Sequence, residues 1–413
     1  MNTPATSPAS LPSKRSGSVA PLRRLLTGLL RNVSHGSLSV VLPDGNTVEA
    51  HGATAGPHVS IQLHRWRPML RLLLRGDLGF AESYRDGDWS TPDLAALLLF
   101  GLRNESSWGS TLDASLPFGW LGRLFHLARS NTRRGSRDNI AFHYDMGNDF
   151  YAQWLDPGLI YSSGIYASGE ETLEQAQAAK LDRIIALLDL KDGDKVLEIG
   201  CGWGALALAM AKARGTEVTG LTLSREQLAH ARQRVEAQGL QDRIDLRLQD
   251  YRDVEGQYDH IVSIEMLEAV GERYWPVYFD TLRKRLRPGG KAVLQVISIS
   301  DEGFGHYRRN TDFIQRFIFP GGMLPSVSAM RDQAQRAGLE MVRTDAFGPS
   351  YADTLVAWRT RFLQAWPTIS TQGFDASFRR LWEYYLCYCE AGFRSGRVDV
   401  GLFTLVHAEQ REA

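Results

Sequence analysis

From Ser37 to Leu42 apolar and polar residues alternate, the run breaks at Pro43-Asp44-Gly45-Asn46, and a second stretch resumes at Thr47-Val48-Glu49-Ala50. Two such runs around a Pro/Asp/Gly turn predict a β-hairpin. Apolar residues then recur at helical spacing over 68–75 and 91–102, with Thr91 as candidate N-cap of the second helix. From Ile140 onward the pattern changes. Short apolar runs at 195–199, 217–221, 243–248, 259–264, 291–298, 341–346 and 402–407 alternate with helical stretches near 204–214, 225–238, 273–286 and 326–337. Strands alternating with helices predict an α/β fold with a doubly wound, mainly parallel sheet. A smaller α+β domain precedes it. The expected division is a flexible tail at 1–32, a lipid-engaging or regulatory domain at 33–128, a basic linker at 129–139 and a catalytic domain at 140–413.

Composition narrows the function classes. Lys+Arg and Asp+Glu both number 47, so the formal charge is zero and no nucleic-acid partner is expected. The apolar run at 94–102 is too short to span a bilayer. Residues 1–20 are rich in Ser, Pro, Thr and Ala and lack the apolar core of a secretion signal. The apolar stretch 25–30, flanked by Arg23, Arg24 and Arg31, reads either as an ordinary first helix or as a contact with an anionic membrane. Arg129, Arg133, Arg134 and Arg137 in the linker carry the same two readings, a solvated connection or a strip for lipid phosphates. Three cysteines, Cys201, Cys387 and Cys389, make no disulfide framework and fit a reducing, cytoplasmic compartment. None has metal-ligand partners nearby, so no metal is expected.

The chemistry concentrates after the strand at 195–199. There Glu198-Ile199-Gly200-Cys201-Gly202-Trp203-Gly204 places glycines at alternate positions in a strand-to-helix turn, where the missing Cβ lets backbone approach a ligand. The Gly-x-Gly-x-Gly spacing departs from the dinucleotide fingerprint. With Glu198 in the strand, it resembles the first motif of class I S-adenosylmethionine-dependent methyltransferases. On that resemblance Gly200 and Gly202 hold the cofactor, joined by Thr222 and Gln227 after the second strand. Gln249, Asp250 and Tyr251 after the third are placed for an adenine edge and face. Ser224 and Gln227 also read as a capping box.

Upstream, the polar and aromatic blocks His143-Tyr144-Asp145-Met146-Gly147-Asn148-Asp149-Phe150-Tyr151 and Tyr161-Ser162-Ser163-Gly164-Ile165-Tyr166 suit a lid over the cofactor. These blocks, the glycine turn, Met266-Leu267-Glu268-Ala269-Val270-Gly271, the 319–326 segment Phe-Pro-Gly-Gly-Met-Leu-Pro-Ser and Glu390-Ala391-Gly392-Phe393 occur in an order similar to the cyclopropane-fatty-acyl-phospholipid synthase family. The resemblance implies methylation of a double bond in an unsaturated phospholipid acyl chain, with Tyr161 and Ser162 closing on the cofactor. It also implies a bound bicarbonate base, held at positions that correspond to Ser163, Glu268, Gln295 and Tyr351. This chain departs from the family at three of the surrounding positions: Ser163 replaces a common Cys, Gln295 a common His and Ala269 a common His. Ring closure to a cyclopropane is the first expectation. Methyl-branched or methylene products, or a catalytically inactive lipid-binding relative, are the alternatives. The aromatic insertion 300–326 is the candidate acyl lining. A peripheral position on the inner membrane face and a homodimer complete the expectations.

Overall fold

A computed structural model of the chain describes residues 19–113 and 146–408. The basic linker, residues 143–145 of the first lid block and the expected domain boundary lie outside them. The first segment holds helix α1 (Ala20–Arg31), strands β1 (His35–Val41), β2 (Thr47–His51) and β3 (Thr54–Leu63), helix α2 (Arg67–Arg85), strand β4 (Trp89–Ser90) and helix α3 (Leu94–Asp113). The strands pair in the order β2-β1-β3-β4. β1 and β2 form the expected antiparallel hairpin, and β3 lies parallel to β1. β3 was not legible as a strand because it carries Gly56 and Pro57, residues that usually interrupt one. Here Gly56 serves a close backbone crossing, since a Cβ on it would sit 2.8 Å from the Gly36 nitrogen.

Two expectations about this segment are corrected. The flexible tail assigned to 1–32 gives way at Ala20 to a helix that starts with a proline and buries Leu26 and Leu29 in the domain core. The N-cap of α3 is Asp93, whose carboxylate accepts from the Ala96 amide at 2.9 Å; Thr91 instead donates its hydroxyl to the Ser60 carbonyl at 2.7 Å.

The second segment continues with α4 (Asn148–Ala152), α5 (Leu173–Leu188), β5 (Lys195–Ile199), α6 (Ala205–Arg214), β6 (Glu217–Thr222), α7 (Arg225–Ala237), β7 (Ile244–Leu248), β8 (Tyr258–Ile264), α8 (Leu267–Val270), α9 (Trp275–Arg285) and β9 (Leu286–Ile299). Then come α10 (Asp301–Tyr307), α11 (Phe313–Phe317), α12 (Val327–Arg336), β10 (Leu339–Ala346), α13 (Gly348–Ser370), α14 (Ala376–Arg394) and β11 (Val398–His407). The seven strands expected from the apolar runs form one sheet, in the order β10-β11-β9-β8-β5-β6-β7. β7, β6, β5, β8 and β9 are parallel; β11 runs antiparallel between β9 and β10. The chain order reverses beside β5, so the turn after that strand opens into a crevice rather than onto a covering helix.

An aromatic core lies beside the sheet. Phe150, Tyr151, Trp154, Trp358 and Phe362 are fully buried, and Phe150 meets Trp382 edge-on at 5.2 Å. The described part of the expected lid is therefore anchored: α4 is a cornerstone of this core rather than a swinging flap. Helix α14 also packs against α2 and α3. There Arg380 donates to the Arg85 carbonyl at 2.8 Å, and Arg397 pairs with Glu105. These contacts join the two segments through one continuous core. Phe150→Ala is expected to cost about 3–5 kcal/mol, the usual loss for removing a large buried ring; a denaturant midpoint close to that of the unaltered protein would contradict this.

Candidate active site

The crevice is built around the glycine turn. Gly200, Gly202 and Gly204 all have positive φ, at 84°, 51° and 81°. A Cβ on Gly200 would lie 2.4 Å from the Met266 side chain, whereas one on Gly202 would meet nothing within 4 Å and would project into open space. Gly200 is thus required by packing, and Gly202 keeps the approach to the crevice clear. The amides of Gly200 and Cys201 donate to the Leu221 carbonyl at 2.9 and 2.8 Å, which pins the turn to β6. Cys201 is buried against Gly220, consistent with a packing role.

Tyr161, Ser162, Gly200, Gly202, Thr222, Gln227, Gln249 and Tyr251 all line this crevice. Asp250 is not among the lining residues, and its carboxylate is engaged by Arg252 at 2.6 and 2.8 Å. Ser224 caps α7, but the Gln227 side chain accepts from the Thr222 hydroxyl at 2.9 Å instead of completing a capping box. Tyr161 is fixed from behind by a 2.8 Å hydroxyl contact with Tyr385.

Two buried titratable groups face the crevice, Glu198 of the glycine motif and Lys180, which was not found from the sequence. Lys180 is 1% exposed and donates to the Ser162 hydroxyl at 2.7 Å. Burial pulls its pKa down to about 8, against the attraction of Glu265, Asp156 and Glu198. Glu198 is pushed up to about 8 by burial, and its Oε2 has no hydrogen-bond partner among the described residues. An orphaned carboxylate oxygen, a buried ammonium and a glycine-cleared backbone line one cavity. That arrangement fits a polar ligand of mixed charge, as a nucleoside-linked amino acid is. The signal for Lys180 was present in α5, whose buried stripe Leu173, Ala176, Gln177, Lys180, Ile184 and Leu187 carries one cation among its apolar positions.

The larger omission is Glu265, at the carboxyl end of β8. It has φ 49°, rare for a residue with a side chain, and its carboxylate occupies the centre of the expected anion site. Oε1 accepts from the Ser163 amide at 2.9 Å and from Gln295 Nε2 at 2.7 Å; Oε2 accepts from the Tyr351 hydroxyl at 2.7 Å. Three of the four residues implied as anion holders therefore surround a carboxylate belonging to the chain itself. Ser163 does so through its backbone, because its hydroxyl donates to the Gly164 carbonyl at 2.8 Å. The fourth, Glu268, accepts from the Ile297 amide and keeps its other oxygen unpartnered among the described residues.

Burial raises the pKa of Glu265, opposed by those hydrogen bonds and by Lys180. Glu268 is pushed up to about 8 by burial and then by the charge of Glu265, so at neutral pH it carries the proton. Glu265 also lines the crevice of the glycine turn, which connects the two halves of the site. Beyond it lie the aromatic pairs Tyr351–Phe393, stacked at 4.5 Å, and Phe319–Tyr385, and the Met323 amide in the insertion donates to the Glu268 carbonyl at 2.7 Å.

A sheet of this order, with a glycine turn at its reversal point, defines the fold of the class I S-adenosylmethionine-dependent methyltransferases. The sequence of residues 131–403 matches the family described as mycolic acid cyclopropane synthetase, and the chain belongs to that family. It is 40% identical over 393 residues to the tuberculostearic acid methyltransferase of Mycobacterium tuberculosis strain H37Rv, spanning 92% of this chain and 90% of that one. It is 38% identical over 345 residues to the cyclopropane-fatty-acyl-phospholipid synthase of Escherichia coli K12, spanning 81% and 84%. Among solved structures, the mycolic acid cyclopropane synthase CmaA1 complexed with S-adenosylhomocysteine superposes with TM-score 0.62 at 30% identity, over 65% of this chain and 97% of that one.

The buried carboxyls set a pH dependence. Glu268 and Glu198 hold their protons more tightly in the folded than in the unfolded chain, so their contribution is complete below the ordinary value of 4.5 and is lost as pH rises toward about 8. The unfolding midpoint is expected to fall between pH 6 and 8, and Glu268→Gln should make that slope shallower. An unchanged slope in the variant would remove Glu268 from this account.

Proposed function

We propose that this protein methylates the double bond of an unsaturated phospholipid acyl chain and releases a product that keeps one carbon–carbon double bond, as a methyl-branched or methylene chain, with Glu265 as the base. The observation that carries the reading is the Glu265 carboxylate in the anion site, hydrogen-bonded by Ser163, Gln295 and Tyr351. With that place filled by the chain's own anion, no bound bicarbonate is needed.

Bound S-adenosylmethionine supplies an electrophilic methyl group in this chemistry. Gly200, Gly202, Thr222, Gln227, Gln249 and Tyr251 hold the nucleoside part, while Tyr161, Ser162 and Lys180 face the amino-acid part. The π electrons of the alkene form the new carbon–carbon bond, the carbon–sulfur bond breaks with its pair going to sulfur, and a cation is left on the neighbouring chain carbon. A negative carboxylate beside that carbon stabilises it, and the buried aromatic walls exclude water. A hydride shift followed by proton transfer to Glu265 restores an alkene. The products are S-adenosylhomocysteine, one proton and an acyl chain that carries one added carbon as a branch. The tuberculostearic acid methyltransferase, similar over nine-tenths of both chains, supports the branched outcome. The similarity to the Escherichia coli synthase keeps direct closure of a cyclopropane as the second reading. No described helix is long and apolar enough to cross a membrane, and the reading places the enzyme at the bilayer surface from the aqueous side.

Proton magnetic resonance of lipids from a host expressing the protein separates the two products, which have equal mass: olefinic signals with a methyl branch or an exomethylene group are expected, and cyclopropyl signals would favour ring closure. Glu265→Gln should lower turnover by about 10²-fold or more, the usual scale for losing a general base, while leaving S-adenosylhomocysteine binding by calorimetry intact. Turnover of the unaltered enzyme should not respond to bicarbonate. Stimulation by bicarbonate, or a fully active Glu265→Gln variant, would rule out the internal base.

A further inference from the structure

Helix α2 is two helices joined at a break. Gly76 has φ 59° and ψ −144°, outside the helical region, and the two halves behave differently. The half after the break is buried: Gly79, Ala81, Ser83 and Tyr84 pack inward, and Tyr84 contacts Tyr384 of α14 at 5.8 Å. The half before it, 67–75, exposes apolar surface. Leu70 and Leu74 are 44% and 45% exposed, one turn apart, and Leu73 shares their face at helical spacing. Trp66, at the N-cap, is half-buried under the Arg23 guanidinium at 5.4 Å. From the sequence, 25–30 in α1 read either as an ordinary first helix or as a contact with an anionic membrane. That stretch faces inward through Leu26 and Leu29, and the outward apolar row belongs to α2.

Arginines flank the leucines. Arg67, Arg71 and Arg75 recur every four residues along the neighbouring face, and Arg65 precedes them. Their carboxylate partners lie beneath. The Asp88 side chain is 1% exposed and that of Glu82 9%, while the side chains of Arg65, Arg67 and Arg75 are 69%, 40% and 47% exposed. Each cation is thus tethered from its inner side and open on its outer side. A row of leucines with a row of fixed guanidiniums beside it matches a bilayer interface: the apolar side chains enter the acyl region while the cations meet phosphates. A protein partner would have to desolvate those arginines without a phosphate layer to receive them.

We propose that residues 66–75 are the segment by which this enzyme docks on the surface of an anionic phospholipid bilayer. The inference rests on the lipid reading above and deepens it. The same helix carries the docked half toward the acyl side of the site, because Arg85 at its far end lies over Phe317 of the aromatic insertion at 6.0 Å.

The test uses the full chain and phosphatidylcholine vesicles with and without about 30% phosphatidylglycerol. Binding by co-sedimentation should be stronger to the anionic vesicles and weaken with salt. Leu70→Ser combined with Leu74→Ser should lower vesicle binding, and turnover on vesicles, about tenfold. Turnover on detergent-dispersed phospholipid should stay within about twofold. Leu74→Cys carrying an environment-sensitive fluorophore should shift to the blue on adding anionic vesicles. Unchanged vesicle binding by the double variant, or a silent fluorophore, overturns the proposal. So does a change in oligomeric state by light scattering with vesicle binding intact, which would make this face a subunit contact. Docking by a protein that modifies no lipid supports the surface and counts against the methylation reading alone.

Discussion

A carboxylate buried at the end of β8 is the constraint around which the catalytic half is arranged. Taking Glu265 out of water is costly unless its oxygens are met, and the partners that meet them come from separate parts of the chain. The Ser163 amide belongs to the loop before α5, Gln295 to β9 and the Tyr351 hydroxyl to α13. None of the three can move far without leaving a buried charge exposed to an apolar wall. The same contacts hold Glu265 in a left-handed backbone conformation that a residue with a Cβ otherwise avoids. Strain at this one residue is therefore tied to order in three elements.

The second layer of charge follows from the first. Lys180 donates to Ser162 and feels the charges of Glu265, Asp156 and Glu198, and its depressed pKa expresses how completely it is enclosed. Glu268 stays protonated first because it is buried and then because the charge of Glu265 opposes its ionisation. Two carboxyls in one pocket cannot both ionise cheaply, and the three donors around Glu265 favour ionisation there rather than at Glu268. In the proposed chemistry this division suits a site that must steady a transient cation and then take up a single proton.

Family membership and site chemistry address different levels of the question. The fold is shared with cyclopropane synthases, whereas Ser163, Gln295 and Ala269 depart from the pattern the resemblance implied. Those departures looked like losses when only the holders of an external anion were considered. Around Glu265 they form a consistent set: Gln295 donates to a carboxylate, and Ser163 contributes only its amide, which any residue but proline supplies.

The sequence alone determined the sheet, because strand and helix periods differ and the apolar runs from 195 to 407 are long enough to separate them. It also marked the glycine turn that opens the crevice, since glycine is the residue that permits positive φ at a strand-to-helix turn. It missed β3, where Gly56 and Pro57 mask a strand held by its neighbours, and it left the helix at 25–30 inside an expected tail because a short amphipathic helix gains its stability from the surface it packs on. Only the tertiary structure decided which carboxylate fills the anion site. Glu265 and Glu268 are three residues apart and read alike; one meets three donors gathered from distant segments and the other does not. Hydrogen-bond partners brought together by folding, with the cost of burying charge selecting among them, leave no trace in local spacing.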